Sequence, residues 1–295
     1  MKTYRQVVQD LCVAYPETEA RCLVRWLYEE QFGLSQTDLL LGKDKQLSAN
    51  DLEIIKEITA RLIHHEPIQY IVGSTTFCGH RFYVAPGALI PRPETEELVS
   101  AVLHQVKQTP AVPPAVLDIG TGSGCIALSL ALALPDAQVT AWDVSEEALA
   151  VARENGCRYP QTKVSFDCVD ILNPPSTDRR WDIIVSNPPY VRRCEACTME
   201  KNVLNYEPHL ALFVPDDNPL LFYYAISSFA MKHLSPDGWL FFEINEAFGA
   251  EISRLIVNMG FRNVEVLKDS YGKDRIVKTQ RARQQRRKQQ KLFLA

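Results

Sequence analysis

Hydrophobic residues recur at helical spacing through the first 65 residues of the chain. Apolar positions fall three or four residues apart in three stretches: Val7, Val8, Leu11 and Cys12; Ala20, Leu23, Val24 and Leu27; Leu52, Ile55, Ile58, Leu62 and Ile63. This spacing predicts amphipathic helices. Pro16 separates the first two helices, Gly33 closes the second, and residues 48–51 offer N-cap candidates for the third. Residues 1–65 are therefore predicted to form a small helical bundle, which carries no candidate chemistry and is interpreted as a packing or docking module.

The pattern changes between residues 66 and 97. Gly79-His80 lies between two β-prone runs and predicts a hairpin. Residues 90–97 then read Ile-Pro-Arg-Pro-Glu-Thr-Glu-Glu, a stiff segment that leads into an acidic helix start. The whole segment is predicted to be a hairpin and linker. Arg92 or Glu94 within it can face an active site, although a structural turn is the favoured interpretation.

Short β-prone runs alternate with helical patterns from residue 114 to 277. The predicted strands are 114–118, 138–142, 164–166, 181–185 and 239–244, and the predicted helices between them are 125–134, 146–155 and 220–233. Two last runs, 264–267 and 275–278, are predicted to form an antiparallel pair. This alternation predicts an α/β fold with a parallel sheet and helices on both faces. Ligands of such sheets bind outside the carboxyl ends of the strands, so residues 98–278 are predicted to be the catalytic domain.

Charge is distributed unevenly along the 295 residues. The net charge is −4, yet residues 278–295 contain seven Lys and Arg and no acid, so the rest has 25 bases against 36 acids, a net charge of −11. The basic tail, assigned to residues 279–295, can contact RNA, but a solvated chain end is the favoured interpretation. No apolar run approaches the length of a membrane span, and the polar N-terminus does not resemble a signal peptide. A cytoplasmic protein is expected.

The eight cysteines do not have the density of a disulfide scaffold. Cys194 and Cys197 form a lone CxxC pair, but no second CxxC and no nearby histidine pair supplies the remaining zinc ligands. No metal site is expected.

A glycine turn follows the first predicted strand of the catalytic domain. Residues 118–124 read Asp-Ile-Gly-Thr-Gly-Ser-Gly, and Asp143 follows the second strand. Glycines let the backbone approach a ligand closely, and a carboxylate at the second strand end accepts hydrogen bonds from ribose hydroxyls. Both features fit NAD or S-adenosylmethionine. The spacing favours the latter, because Cys125 stands where the dinucleotide fingerprint needs glycine or alanine, and Asp118 can pair with an ammonium group.

The second motif is Asn187-Pro188-Pro189-Tyr190, at the end of the apolar run 181–185. Each proline restricts its own φ and keeps the preceding residue extended, which predicts a rigid loop after a buried strand. The Asn187 amide oxygen and the Pro188 carbonyl can then accept both hydrogens of one planar NH2 group, with Tyr190 as an aromatic face beside it. The alternative is a proline-rich turn with Tyr190 in ordinary packing.

Together these residues resemble class I methyltransferases and, more narrowly, the release factor glutamine methyltransferase family. The resemblance runs from about residue 61 to 277 and is carried by Glu66-Pro67, Tyr70-Ile71-x-Gly73, Leu89–Glu96, Asp118–Gly124, Asn187–Tyr190, Tyr206-Glu207-Pro208 and Gly272-x-Asp274-Arg275. Asn-Pro-Pro-Tyr also occurs in adenine-N6 and guanine-N2 methyltransferases, whereas the segment ahead of the glycine turn is more selective. One departure is Ile171, where some family members have an aromatic residue beside the adenine.

The resemblance implies a doubly wound, mostly parallel seven-stranded sheet with a small N-terminal helical bundle that docks the substrate. It implies methyl transfer from S-adenosyl-L-methionine to the glutamine of the Gly-Gly-Gln motif in class I peptide chain release factors, by a protein that is expected to be a monomer. The implied catalytic and substrate-binding residues are Asn187, Pro188, Pro189 and Tyr190, with Arg92 as a further substrate contact. The implied cofactor-binding residues are Asp118, Gly120, Thr121, Gly122, Ser123, Gly124, Asp143, Asp170, Ile171 and Asn187.

Three other functions remain open on the sequence alone. A nucleic-acid methyltransferase acting on an exocyclic amine shares the Asn-Pro-Pro-Tyr motif and would use the basic tail, although a body with a net charge of −11 is poorly suited to phosphate contacts. An NAD-dependent enzyme shares the glycine turn. A binding module without turnover is the third alternative.

Overall fold

A computed structural model describes residues 3–108 and 113–282 of the chain. Helices make up the first part, where apolar side chains such as Val24, Leu27 and Leu62 are fully buried against one another. Ser48 caps the fourth helix by accepting a hydrogen bond from the backbone N–H of Asp51, as its N-cap position predicted. The helices are α1 (Tyr4–Leu11), α2 (Glu17–Phe32), α3 (Gln36–Leu40), α4 (Ala49–Ile63) and α5 (Ile68–Val72), with a 3-10 helix at Lys43–Gln46.

The segment between this bundle and the sheet contains the predicted hairpin. Strands β1 (Ser74–Phe77) and β2 (His80–Tyr83) pair antiparallel around a turn at 78–79. Two details differ from the sequence prediction: residues 68–72 are helical, and helix α6 (Pro93–Lys107) extends across the boundary placed between residues 97 and 98. Pro93 at the first helical position explains why the helix begins there, because its missing N–H is not needed.

Strands and helices alternate through the remainder of the described chain. The strands are β3 (Ala115–Ile119), β4 (Gln138–Asp143), β5 (Val164–Cys168), β6 (Trp181–Ser186), β7 (Val191–Arg192), β8 (Phe213–Val214), β9 (Leu234–Glu243), β10 (Phe261–Lys268) and β11 (Asp274–Arg281). The helices are α7 (Cys125–Ala133), α8 (Glu146–Arg158), α9 (Lys201–Tyr206), α10 (His209–Leu212), α11 (Leu221–His233) and α12 (Gly249–Asn258), with 3-10 helices at Arg193–Thr198 and Glu246–Phe248.

Seven of these strands form one sheet in the order β10-β11-β9-β6-β3-β4-β5. The pairs from β9 to β5 are parallel, and β11 is antiparallel to both β9 and β10. The predicted doubly wound, mostly parallel sheet is thus confirmed, including its antiparallel terminal pair. The chain runs outward from β3 through β4 to β5 and then returns to place β6 on the other side of β3. The gap between the ends of β3 and β6 is therefore the topological switch point, where α/β sheets bind ligands.

The sheet is buried on both faces by helices. One face packs against α6 and α7, through residues such as Val99 and Ile126. The other packs against α11 and α12, through residues such as Phe229 and Ile252. Helix α12 and the short elements between β6 and α11 were not predicted from the sequence. Most of the basic tail assigned to 279–295 lies outside the described residues, while its first three positions belong to β11.

Candidate active site

A cavity of about 980 Å³, including its open mouth, lies at the carboxyl ends of the parallel strands. Its position agrees with the expectation for an open α/β sheet. Residues that follow β3, β4, β5 and β6 line it together with residues ahead of α6 and around α10 and α11. The lining residues are Gly87, Ala88, Leu89, Ile119, Gly120, Gly122, Asp143, Val144, Ser145, Glu147, Ala148, Val169, Asp170, Ile171, Ser186, Asn187, Pro188, Pro189, Pro208, Leu210, Ala211, Phe222 and Ile226.

The glycine turn after β3 has the left-handed backbone that only glycine adopts easily. The φ angles of Gly120, Gly122 and Gly124 are +73°, +56° and +80°. Gly124 is also tightly packed, because a Cβ atom there would lie 3.2 Å from the Cβ of Ala152 on α8. Gly120 and Gly122 line the cavity, whereas Thr121, Ser123 and Gly124 do not.

Asp143 reaches the cavity from the end of β4. Its carboxylate accepts hydrogen bonds from the backbone N–H of Gly122 at 2.8 Å and of Ser145 at 2.9 Å. Burial raises the pKa of this carboxyl, and the backbone hydrogen bonds oppose that rise because they stabilise the charged form. The side chain therefore ties the glycine turn to the start of α8 while facing the ligand space.

Asp118 takes a different position from the one its sequence neighbourhood suggests. It is fully buried and does not line the cavity. Its Oδ2 accepts a hydrogen bond from the hydroxyl of Thr121 at 2.6 Å, while Oδ1 has no hydrogen-bond partner of normal geometry among the described residues. Burial raises the pKa of this carboxyl to about 7. The expected pairing with a ligand ammonium group stays a prediction.

Asp170 and Ile171 both line the cavity beyond β5. The carboxylate of Asp170 also orders its own turn, because it accepts hydrogen bonds from the backbone N–H of Leu172 at 2.8 Å and from the side chain of Asn173 at 2.9 Å. Ile171 is buried and offers an aliphatic surface in place of an aromatic ring.

The Asn-Pro-Pro-Tyr loop leaves β6 directly beside the glycine turn. Ile119 at the end of β3 pairs with Ser186 at the end of β6, and this register places Gly120 next to Asn187. Asn187, Pro188 and Pro189 line the cavity. Within the described residues, neither the side-chain oxygen of Asn187 nor the carbonyl of Pro188 accepts a hydrogen bond. Both acceptors are thus available to a ligand.

The polar end of Tyr190 points away from the ligand space. Its hydroxyl donates a hydrogen bond to Oε1 of Glu243 at 3.1 Å, and the ring packs against the cluster on the α11 face of the sheet. Tyr190 does not line the cavity. Burial raises the pKa of its hydroxyl, and the nearby Glu243 carboxylate raises it further. The predicted stacking of Tyr190 on a planar substrate stays a prediction.

Two residues that the sequence reasoning missed complete this arrangement. Thr95, in the first turn of α6, donates its hydroxyl hydrogen to Oε2 of Glu243 at 2.7 Å and accepts a hydrogen bond from Nδ2 of Asn187 at 3.2 Å. Glu243 ends β9, and both residues are nearly inaccessible to water. Thr95 belongs to a segment that carries the family resemblance, whereas nothing in the local sequence marks Glu243.

Arg92 contacts another loop instead of the cavity. Its guanidinium forms an ion pair with Glu207, whose carboxylate also accepts a hydrogen bond from the backbone N–H of Ile90 at 3.2 Å. The side chain of Glu207 is only 1% exposed. The pair connects the segment ahead of α6 to residues 206–208, and it brings Pro208 to the cavity wall. The substrate contact expected of Arg92 stays a prediction.

The charge of the cavity is negative. Three carboxylates line it, those of Asp143, Glu147 and Asp170, and its described lining contains no lysine, arginine or histidine. Such a wall favours a cationic ligand and disfavours a pyrophosphate. Apolar residues that the sequence reasoning missed, among them Leu210, Phe222 and Ile226, provide a surface for a flat organic group.

In the part of the chain that the structure describes, no group of three or more His, Cys, Asp or Glu side chains is arranged to hold a metal ion. The helices within residues 3–108 and 113–282 include none with the length and apolar character needed to cross a membrane.

Two family models match the chain: the PrmC N-terminal domain over residues 3–73 and the methyltransferase small domain over residues 98–205. A release factor glutamine methyltransferase of Bacteroides thetaiotaomicron is 48% identical over 94% of this chain and 97% of its own length. A release factor glutamine methyltransferase of Flavobacterium psychrophilum is 44% identical over 94% of this chain and 98% of its own length. The 16S rRNA N2 G1207 methyltransferase of T. thermophilus, solved with AdoMet and guanosine, shares the fold, with a TM-score of 0.53 and 19% identity over 70% of this chain and 49% of that one.

Proposed function

Because the chain belongs to the release factor glutamine methyltransferase family, we propose that it methylates the side-chain amide nitrogen of the glutamine in the Gly-Gly-Gln motif of class I peptide chain release factors. The methyl donor is S-adenosyl-L-methionine. The observation that supports this proposal is that Asn187 and Pro188 line an acidic cavity at the switch point of the sheet, and that neither Asn187 Oδ1 nor the Pro188 carbonyl accepts a hydrogen bond from the described residues. Two such acceptors match an NH2 group, which has two hydrogens to donate.

The cavity fits this cofactor better than a dinucleotide. Its described lining has three carboxylates and no basic side chain, which suits the positive sulfonium and ammonium groups and opposes a pyrophosphate. Asp143 is proposed to accept hydrogen bonds from the ribose hydroxyls, and Asp170 and Ile171, which line the same cavity, are proposed to contact the cofactor as well. Gly120 and Gly122 allow close approach of the backbone, and Thr121, Ser123 and Gly124 hold the shape of the turn.

The bound cofactor supplies an electrophilic methyl group, and the residues of this chain orient the nucleophile. An amide nitrogen is a poor nucleophile because its lone pair is delocalised into the carbonyl. Asn187 Oδ1 and the Pro188 carbonyl accept its two hydrogens, which favours a pyramidal nitrogen with its lone pair directed at the methyl group. Pro189 keeps the loop rigid. The methylated nitrogen becomes cationic and loses a proton to water, so catalysis rests on positioning and on preorganised dipoles.

The helical residues 1–65 are proposed to dock the release factor, residues 66–97 to link them to the catalytic domain over 98–278, and the protein to act as a cytoplasmic monomer. Arg92 is proposed to shape the substrate side of the site through its pair with Glu207. Tyr190 is proposed to pack its ring on the flat substrate amide while its hydroxyl remains on Glu243.

The deciding experiment is transfer of label from methyl-labelled S-adenosylmethionine to a purified class I release factor. A Gly-Gly-Ala variant of that factor is the control. Label on the intact factor and none on the variant is the expected result. Equal label on both factors would refute the glutamine assignment, and label on RNA or DNA but on neither factor would indicate a nucleic-acid methyltransferase.

A further inference from the structure

The carboxylate of Glu243 is connected to both ends of the Asn-Pro-Pro-Tyr loop. Its Oε2 accepts a hydrogen bond from the hydroxyl of Thr95, and the Thr95 oxygen accepts one from Nδ2 of Asn187. Its Oε1 accepts a hydrogen bond from the hydroxyl of Tyr190. We propose that Thr95 and Glu243 are positioning residues, which fix the side-chain amide of Asn187 with its oxygen toward the substrate. This inference rests on the proposed function and adds to it the residues that orient the acceptor.

The orientation of Asn187 is decisive because its amide has two ends of nearly equal size and opposite hydrogen-bonding character. With Oδ1 in the cavity the side chain accepts a hydrogen from the substrate amide, whereas a rotation of 180° would present an NH2 group to another NH2 group. A bare loop does not distinguish these two states by shape. A neighbouring group must therefore select one of them by its own donor or acceptor character.

Thr95 selects the orientation of the Asn187 amide because its hydroxyl has only one hydrogen to donate. A hydroxyl has one hydrogen and two lone pairs, and the hydrogen of Thr95 is already donated to Glu243. Toward Asn187 the oxygen can only accept, so it binds the NH2 end and leaves Oδ1 for the cavity. Glu243 is essential to this logic, because an ionised carboxylate accepts and never donates.

Each carboxylate oxygen of Glu243 accepts one of these two hydroxyl hydrogens. Burial raises the pKa of Glu243, and the repulsion of Glu94 adds to the rise, while the hydrogen bonds from Thr95 and Tyr190 and the positive charge of Arg275 oppose it by stabilising the carboxylate. Glu243 is 2% exposed and Thr95 is 3% exposed, so water cannot easily replace either partner. The register of the sheet explains the proximity: Ser186 pairs with Phe242, and the residues that follow them lie side by side.

The Tyr190 contact anchors the other end of the loop. Pro188 and Pro189 leave little freedom between the two anchored residues. The Pro188 carbonyl is therefore held between Asn187, fixed through Thr95, and Tyr190, fixed directly by the same carboxylate. One buried acid thus sets the direction of both acceptors that the proposed reaction uses.

The test compares two substitutions of Thr95. Thr95→Val keeps the shape and removes the hydroxyl, and Thr95→Ser keeps the hydroxyl. With a release factor as substrate, we expect Thr95→Val to lower kcat by about tenfold to a hundredfold, which is less than the loss of about a hundredfold to a thousandfold seen when a group that contacts the reacting atoms is removed. The KM for the factor and the Kd of S-adenosylmethionine should remain within about threefold of wild type. Thr95→Ser should retain kcat within about threefold.

Glu243→Leu is the second, independent variant. A leucine side chain accepts no hydrogen bond, so the hydroxyl hydrogen of Thr95 is free to turn toward Asn187 and the selection of the Asn187 orientation is lost. We expect a similar fall in kcat with an unchanged Kd for S-adenosylmethionine, measured at a temperature where thermal melting shows all variants to be folded.

A wild-type kcat in Thr95→Val, or an equal loss in Thr95→Ser and Thr95→Val, would overturn the positioning role. If Thr95→Val does not fold, Glu243→Leu decides, and full kcat in that variant would overturn the role. A wild-type protein that binds S-adenosylmethionine but labels no release factor would overturn the proposed function, and this inference with it.

Discussion

Asp118 is a buried acid whose ionisation should make the stability of the protein depend on pH. The side chain is fully buried, and only one of its oxygens accepts a hydrogen bond of normal geometry from the described residues. Asp118→Asn keeps the shape and an acceptor for Thr121 but removes the titration. The buried amide changes the free energy of unfolding by an amount that does not depend on pH. The expected signal is therefore a change with pH in the difference between the free energies of unfolding of variant and wild type.

The magnitude follows from the pKa of about 7 in the folded state against the ordinary value of 3.8. Between these values the folded protein retains a proton that the unfolded chain has lost, so wild-type stability falls as pH rises. Each pKa unit corresponds to about 1.4 kcal/mol, so the full effect is about 4 kcal/mol. About 3 kcal/mol of it lies between pH 5 and pH 8. The free energy of unfolding of Asp118→Asn, relative to that of wild type, should increase by this amount from pH 5 to pH 8 and then level off.

Urea unfolding without cofactor at pH 5, 6, 7 and 8 measures this difference. Ser129→Ala is the matched control, because Ser129 on α7 is also a buried polar residue but does not titrate. Its difference from wild type should not change with pH. If the free energy of unfolding of Asp118→Asn differs from that of wild type by the same amount at every pH, the assignment of a raised pKa is refuted. If this free energy, relative to wild type, decreases toward pH 8, the pKa of Asp118 is lowered and not raised.

Three further substitutions test the site. Asn187→Ala should lower kcat by about a hundredfold or more and leave the binding of S-adenosylmethionine, measured by calorimetry, largely intact; full activity would exclude the proposed role. Asp143→Ala should weaken cofactor binding by about tenfold to a hundredfold, since charged hydrogen bonds are lost, and an unchanged Kd would contradict the ribose contact. Gly124→Ala should lower the free energy of unfolding by about 1–3 kcal/mol through its φ of +80° and the contact with Ala152. Gly33→Ala, with a positive φ but no contact within 4 Å, should cost less, and equal losses would show that packing is irrelevant.

The features that the sequence predicted well are those encoded within a few neighbouring residues. The glycines after β3 allow the positive φ angles found there, and the prolines after β6 restrict the backbone of their loop. The geometry of both motifs can therefore be predicted from the local sequence. Asp143 was predictable because a strand end in an α/β fold has a fixed relation to the ligand space. The same local reasoning missed α12, and it ended the linker at residue 97, inside the helix that begins at Pro93.

The direction of a polar side chain depends on contacts that the local sequence does not show. Asp118 stands next to the glycine turn in sequence, but alternation along a strand and the hydroxyl of Thr121 turn it into the protein. Arg92 precedes a helix that contributes to the site, yet the carboxylate of Glu207 lies 115 residues away in sequence and withdraws it from the cavity. Adjacency in sequence predicts the neighbourhood of a side chain, but not its direction.

The orientation of the acceptor residue depends on contacts of still longer range. Thr95 and Glu243 are separated by 148 residues, and they meet only because β9 lies beside β6 and α6 packs across their ends. Nothing in the sequence around Glu243 distinguishes it from a residue at the end of any buried strand. A loop motif therefore specifies which atoms can accept a hydrogen bond, whereas the sheet order decides where they point. In the proposed reaction, the catalytic motif depends on a partner in another strand for the property that makes it selective for an amide.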